Sequence, residues 1–353
     1  MHTSKLNHFP NFKSSEEKSP QNENNKPSLT DEYIQATEKL EKKETEGSFT
    51  LTGTIPLYVT LLYGIKEGFN IRNAKQTLSK EQYKKLLPKL AGKILAATAI
   101  GTAASIAINF YLNSKTEQNY NKIKQKFNQI NTDTNAVLAD NMFCKGYAYA
   151  AQNPVSGKIQ VNKNVINDPI LGRTIDKLLK HELVHARQYE TVARTKDGIR
   201  KINFAEMNKT KKLLEKVPDS KEMFAQMNTE ISKNPDKYND KRIRFAGGGA
   251  EVSLKDYVSA INTLMNNPNA GLNDIPIVID AKHYQAVIDK KEALSPQEEA
   301  KADEYYKAML EYTPANSFIQ AYNPWSSYRQ NILEKEAYKE NPDFITKLSD
   351  MFV

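Results

Sequence analysis

Two histidines four residues apart constrain this chain more than any other feature: His181 and His185 in the run Lys180-His181-Glu182-Leu183-Val184-His185-Ala186-Arg187-Gln188. In an α-helix that spacing places both imidazoles on one face, a single turn apart. The flanking residues argue for a helix independently. Asn167-Asp168-Pro169 reads as a turn, and from Thr174 onward Ile175, Leu178, Leu179, Leu183 and Val184 keep helical spacing, with no Gly or Pro until Gly198. A helix from about Thr174 to Thr195 is therefore expected, anchored to a core through Leu178, Leu179 and Leu183. The chain has five histidines, two of them (His2, His8) in a polar N-terminal stretch and one (His283) alone, so the pair does not come from a histidine-rich background.

His-Glu-x-x-His on a helix is a zinc-hydrolase pattern, and each residue type has its reason. Neutral imidazoles bind zinc at about 2.0 to 2.1 Å, and a site with three protein ligands leaves a fourth position for water. The metal lowers the pKa of that water to about 7. Glu182, beside the first histidine, is placed to take the water's proton and return it to a leaving amine.

At these residues the chain resembles the zincin metallopeptidases, and Ala186-Arg187-Gln188 extends the likeness to the HExxHxxQ variant found in several zincin-like families. In zincins with a glutamate as third ligand, that ligand comes from a later helix with the pattern Glu-x-x-[Ala or Ser]-Asp. Glu334-Lys335-Glu336-Ala337-Tyr338 matches it except at Tyr338, which stands where the family has an aspartate that orients a zinc histidine. The resemblance thus implies a zinc (Zn2+) site made of His181, His185 and Glu334, with Glu336 second choice and Glu182 as catalytic base. The stretch between His185 and Glu334 is long for this group. It implies either an insertion of helices and loops or a nearer ligand such as Glu190, Glu206 or Glu222, with His283 a rival ligand or oxyanion donor.

Upstream, Gly146 to Ala151 and Lys158 to Val161 alternate in strand fashion around the turn-forming Asn153-Pro154-Val155-Ser156-Gly157, which predicts a hairpin leading into the helix. The zincin plan has a small sheet whose edge strand holds an extended peptide by strand addition. Downstream, Lys196-Asp197-Gly198 marks a helix stop, Phe204 to Leu214 begins another helix, Ile275 to Asp280 reads as a short edge strand, and Ser295-Pro296-Gln297-Glu298 as a capping box for a helix to about Tyr312. Phe245 to Ala250 lacks the Lys-Ser/Thr of a phosphate-binding loop and reads as a glycine-rich turn. Tyr322 or Tyr328 could serve as oxyanion donor. The single cysteine, Cys144, excludes an intrachain disulfide and a cysteine-based zinc site.

Residues 1–47 are polar and expected to be disordered, with a short helix over Ser28 to Leu40 possible, and no apolar run follows the first methionine as a secretory signal would require. Two uncharged runs follow, Ser48 to Ile65 and the nineteen residues Ile94 to Leu112, close to what a helix needs to cross a bilayer. Ala97, Gly101 and Ser105 add a face suited to close helix packing. Lys66 to Lys93 holds eight Lys or Arg against two Glu, and Lys115 to Lys126 four Lys against one Glu, so the net charge of +8 is concentrated beside these runs. That placement points to lipid, not to a nucleic-acid face. The basic loop favours the cytoplasmic side, whereas the lysines after Leu112 oppose carrying the following region across, so the side on which the catalytic region lies stays open.

With 353 residues and 39% hydrophobic content the chain can hold a sizeable core. The expectation is a helix-rich α+β fold with a disordered tail (1–47), a membrane hairpin (48–114, spans 48–65 and 94–112) and a zincin-like domain (115–353). It would be a membrane-tethered zinc metallopeptidase acting on a peptide or protein substrate, partnered by the lipid bilayer and not by nucleic acid. The alternatives are a membrane-anchored binding or scaffold protein with a degenerate metal site, and a zinc hydrolase of non-peptide bonds.

Overall fold

The computed structural model describes residues 27–46, 66, 72, 75, 79–140, 150–167, 175–245, 250–313, 323 and 325–340. Its elements are α1 (Leu29–Glu46), α2 (Lys80–Ile130), β1 (Val137–Leu138), β2 (Ala150–Asn153), β3 (Lys158–Val161), α3 (Lys163–Asn167), α4 (Ile175–Ala193), α5 (Gly198–Leu214), α6 (Ser220–Lys233) and α7 (Pro235–Tyr238). They continue with β4 (Arg242–Arg244), β5 (Glu251–Ser253), α8 (Leu254–Asn266), α9 (Ala281–Lys290), α10 (Pro296–Glu311), α11 (Ser327–Gln330) and α12 (Ile332–Glu340). The class is helix-rich α+β, with a β1-β3-β2 sheet and a β4-β5 ribbon.

The hairpin forms from its turn chemistry. Asn153 Oδ1 accepts from Val155 N and Ser156 N, Gly157 takes φ +68°, and β2 and β3 pair antiparallel with Gln152 opposite Ile159. From Tyr284 of α9 the hydroxyl reaches Pro154 O at 2.7 Å, which pins the turn to the helical body.

Helix α4 is the shared wall of two cores. Ile175, Leu179, Leu183 and Ala186 pack with β3, α3 and Phe127 of α2; Tyr189, Val192 and Ala193 pack with α5, α8 and their neighbours. Burying side chains of this size is worth about 1.5 to 3 kcal/mol each, so α4 is fastened on two flanks. It ends where expected. Asp197 adopts φ 58°, and at Gly198 a Cβ would lie 2.1 Å from Val192 O, a close approach only glycine permits.

Three expectations meet a different outcome. Ile275 to Asp280 pairs with no strand among the described residues: Asn203 Oδ1 accepts from Val278 N and Ile279 N, while its Nδ2 donates to Pro276 O, so a side chain takes the place of a partner strand. Residues 29–46 form α1, which bears out the short helix considered over Ser28 to Leu40 and extends it within a tail otherwise expected to be disordered. There Tyr33 is buried against Phe224, Thr30 bonds Glu230, and Asp31 pairs with Lys237. Finally, the membrane hairpin gains no support. Residues 48–65 lie outside the described residues, and Ile94 to Leu112 falls inside α2 as part of one continuous helix. Among the described residues no helix is long and apolar enough to cross a membrane, and the Ala, Thr, Ser and Gly content of this run dilutes its hydropathy. Cys144, Tyr322 and most of the glycine-rich turn at 246–249 also lie outside the described residues.

Candidate metal centre

On α4, positions 181, 185 and 188 form one stripe, because steps of four and three residues return to nearly the same side of a helix. That stripe faces α12, which packs directly on α4. The gap between them in sequence is filled by α5 to α10, so the long separation of His185 from Glu334 holds most of the larger core.

The two imidazoles converge through the same atom type. His181 Nε2 lies 3.2 Å from His185 Nε2, with the rings 82° apart. Glu334 completes the triangle, its Oε2 3.4 Å from His181 Nε2 and its Oε1 3.6 Å from His185 Nε2. Around a tetrahedral ion at about 2.0 to 2.1 Å, neighbouring ligand atoms sit about 3.3 to 3.4 Å apart; here one ligand atom from each of the three residues lies within 4.8 Å of the others. Glu334 is 2% exposed, and its buried Oε2 has no hydrogen-bond partner among the described residues. A buried carboxylate oxygen left without a donor costs several kcal/mol unless something positive meets it. These three residues could therefore hold a metal ion.

The electrostatics reflect the same convergence. Burial opposes a charge on His185, yet the Glu334 carboxylate, helped by Glu182 and Gln188, outweighs it and lifts the imidazole to about 9. Burial likewise opposes ionisation of Glu334, but His185 and His181 outweigh it and hold the carboxyl well below the usual range. Both shifts favour a proton on the imidazole facing an ionised carboxylate.

Glu182 is buried next to the pair, and its Oε2 accepts from Gln152 N at 2.7 Å. That bond ties the carboxylate to β2, an edge strand of the described sheet. Around Glu334, Tyr312 donates to Oε1 at 2.8 Å, and Tyr328 lies beside Tyr312 with ring centroids 6.1 Å apart. Burial pushes both phenols up, reinforced at Tyr312 by Glu334 and at Tyr328 by Tyr312 and then Glu334. Tyr338 meets His181 edge to face at 4.5 Å, with the Arg329 guanidinium 3.3 Å above its ring. Where the resemblance predicts an aspartate, an aromatic ring packs against the ligand.

The other carboxylates considered from sequence go elsewhere. Glu336 points away from the triangle to Lys301, Tyr305 and Gln188. Glu190 accepts from Asn135 N and pairs with Lys291; Glu206 accepts from Tyr189 and pairs with Lys209; Glu222 is exposed on α6. His283 packs over Gly157, where a Cβ would lie 2.1 Å from its ring, and belongs to no metal-capable group among the described residues.

The motif names Gln188 without assigning it a role, which its place on the histidine stripe could have suggested; Tyr312 had no signal, because only the tertiary fold brings it to Glu334. No family model, curated protein or solved structure matches this chain.

Proposed function

We propose that the chain is a zinc-dependent metallopeptidase in which His181, His185 and Glu334 hold the metal and Glu182 is the general base. The observation that carries this reading is the convergence of the two imidazole Nε2 atoms, 3.2 Å apart, on the buried Glu334 carboxylate, whose Oε2 lies 3.4 Å from His181 Nε2 and whose Oε1 lies 3.6 Å from His185 Nε2. The donor set of two imidazoles and one carboxylate suits zinc. Zinc held there would supply an acidified water and a Lewis acid. With a metal bound, Glu182 would be the residue to accept a proton and return it to the leaving amine, and the Gln152 amide holds its carboxylate in place. Half-buried Tyr312 and Tyr328 line the Glu334 side of the site, with Tyr312 donating to Glu334 Oε1. The edge of β2, next to Glu182, offers main-chain groups to an extended peptide substrate.

Association with a lipid bilayer is a separate proposal. It is supported by the uncharged run in α2, its exposed Leu95, Ile100 and Tyr111, and the basic residues on either side. Flotation of the full chain with anionic vesicles tests it.

The deciding experiment combines elemental analysis of the purified full chain with a peptide-library digest of wild type and Glu182→Gln. About one zinc per chain, with cleavage that disappears in Glu182→Gln while zinc stays, is the expected result. A chain that takes up no zinc after supplementation is a binding or scaffold protein instead, and one that holds zinc but cleaves no peptide acts on another bond.

A further inference from the structure

Gln188 follows His185 on the metal-facing stripe and is 1% exposed. Its Nε2 donates to Leu333 O at 3.1 Å and to Glu336 Oε2 at 3.2 Å, and its Oε1 lies 3.0 Å from His185 Nδ1. Turning the amide over would set its oxygen against a carbonyl and a carboxylate, neither of which can donate. The amide therefore has one orientation in which all its contacts are favourable. Its oxygen then faces His185 Nδ1 as an acceptor, so the hydrogen between them belongs to the imidazole. In the neutral ring this leaves the lone pair on Nε2, the atom that faces His181 and Glu334.

We infer that Gln188 is a positioning residue which selects the His185 tautomer that ligates through Nε2 and locks that ring to the helix bearing Glu334. The inference rests on the metal reading above. Two features of the surroundings suit the role. Leu333, whose carbonyl Gln188 engages, immediately precedes Glu334, so one amide sets both the imidazole and the main chain beside the carboxylate ligand. Glu336, the other acceptor, is itself fixed: Tyr305 donates to its Oε2 at 2.7 Å and Lys301 lies 2.6 Å from its Oε1. The chain of contacts runs from His185 through Gln188 and Glu336 to α10, so three helices share one amide. Groups that orient a metal-binding histidine in this way typically contribute about 10- to 100-fold to metal affinity.

The test uses the full chain as wild type, Gln188→Met and Glu336→Gln. Zinc affinity is measured by competition with a chelator, and the His185 ring N–H is followed by proton–nitrogen NMR of the zinc-loaded forms. Wild type should bind zinc and show a slowly exchanging Nδ1–H. Gln188→Met should weaken zinc by about 10- to 100-fold and lose that resonance, which a residue that merely packs would not change. Glu336→Gln should keep the resonance and weaken zinc by less. If Gln188→Met does not fold, Glu336→Gln decides: weaker zinc with the resonance kept supports the role, and wild-type affinity overturns it. Wild-type affinity and resonance in Gln188→Met overturn the positioning role alone, whereas absence of zinc from the wild type removes the metal reading and this inference with it.

Discussion

Helices α4 and α12 supply opposite sides of the candidate metal centre and are held by different forces. Apolar packing on two flanks secures the nineteen residues of α4. Helix α12 has nine residues, of which Leu333, Glu334 and Ala337 are buried, and polar contacts do much of the fastening: Gln188 to Leu333, Lys301 and Tyr305 to Glu336, Tyr312 to Glu334. Isolated helices of that length are unstable, so α12 depends on its partners in a way α4 does not. One wall is set by apolar burial, and the other by hydrogen bonds and an ion pair to its neighbours.

The largest effects should come from the chemistry where the two helices meet. His181→Ala or His185→Ala should lose zinc and all hydrolysis, while Glu182→Gln should keep zinc and lower the hydrolytic rate by about 10²- to 10⁴-fold, read by elemental analysis and steady-state kinetics. Next comes the wall itself. Leu179, fully buried, should cost about 2 to 5 kcal/mol as Leu179→Ala, measured by urea denaturation; a loss under about 1 kcal/mol would mean that α4 is not the fixed side.

Removing the metal should distinguish the helices directly. By amide hydrogen exchange, chelated protein should lose protection across α12 and keep it across the Leu179 to Val184 turns of α4. Equal loss in both would erase the contrast drawn here.

Acidity offers a fourth test. In the metal-free protein His185 titrates near 9 instead of its ordinary 6.5, so its pairing with Glu334 stabilises the fold fully below about pH 6.5 and is lost as pH rises through 9. Glu334 is displaced the other way, and its contribution holds above its ordinary 4.5 and is lost as pH falls through its lowered value. Metal-free protein should therefore melt at a higher temperature at pH 6 than at pH 9.5, whereas zinc affinity should rise over the same interval as the His185 proton ceases to compete. The smallest effect expected is that of Tyr305→Phe, which removes one partly exposed hydrogen bond to Glu336. It should cost about 0.5 to 1.5 kcal/mol and leave zinc content unchanged, by thermal melting and elemental analysis.

The same contrast explains what could be read before the fold was known. Helix α4 announced itself through its own periodicity, and the expected 174–195 is close to the observed Ile175–Ala193. Glu334 was reached by the pattern of a resemblance, with Glu336 as runner-up; only the fold shows that these neighbours face different ways, one inward and one toward Lys301. Ile275 to Asp280 reads as a short edge strand, and nothing local discloses that Asn203 accepts from its Val278 and Ile279 amides. Similarly, Tyr33 looks like part of a polar tail until the α6 and α8 surface that buries it is present. Periodicity reports what a segment can bury, and long-range partners decide whether it does.

Helix α1 has a consequence of parity. It is fastened to α6 through Thr30 and Tyr33 and to α7 through Asp31, and the chain returns to the same body through the second half of α2, where Tyr120, Ile123 and Phe127 are buried. Both ends of the connecting stretch are thus moored on one side of any boundary that this stretch meets. If that stretch traverses a bilayer at all, it does so an even number of times.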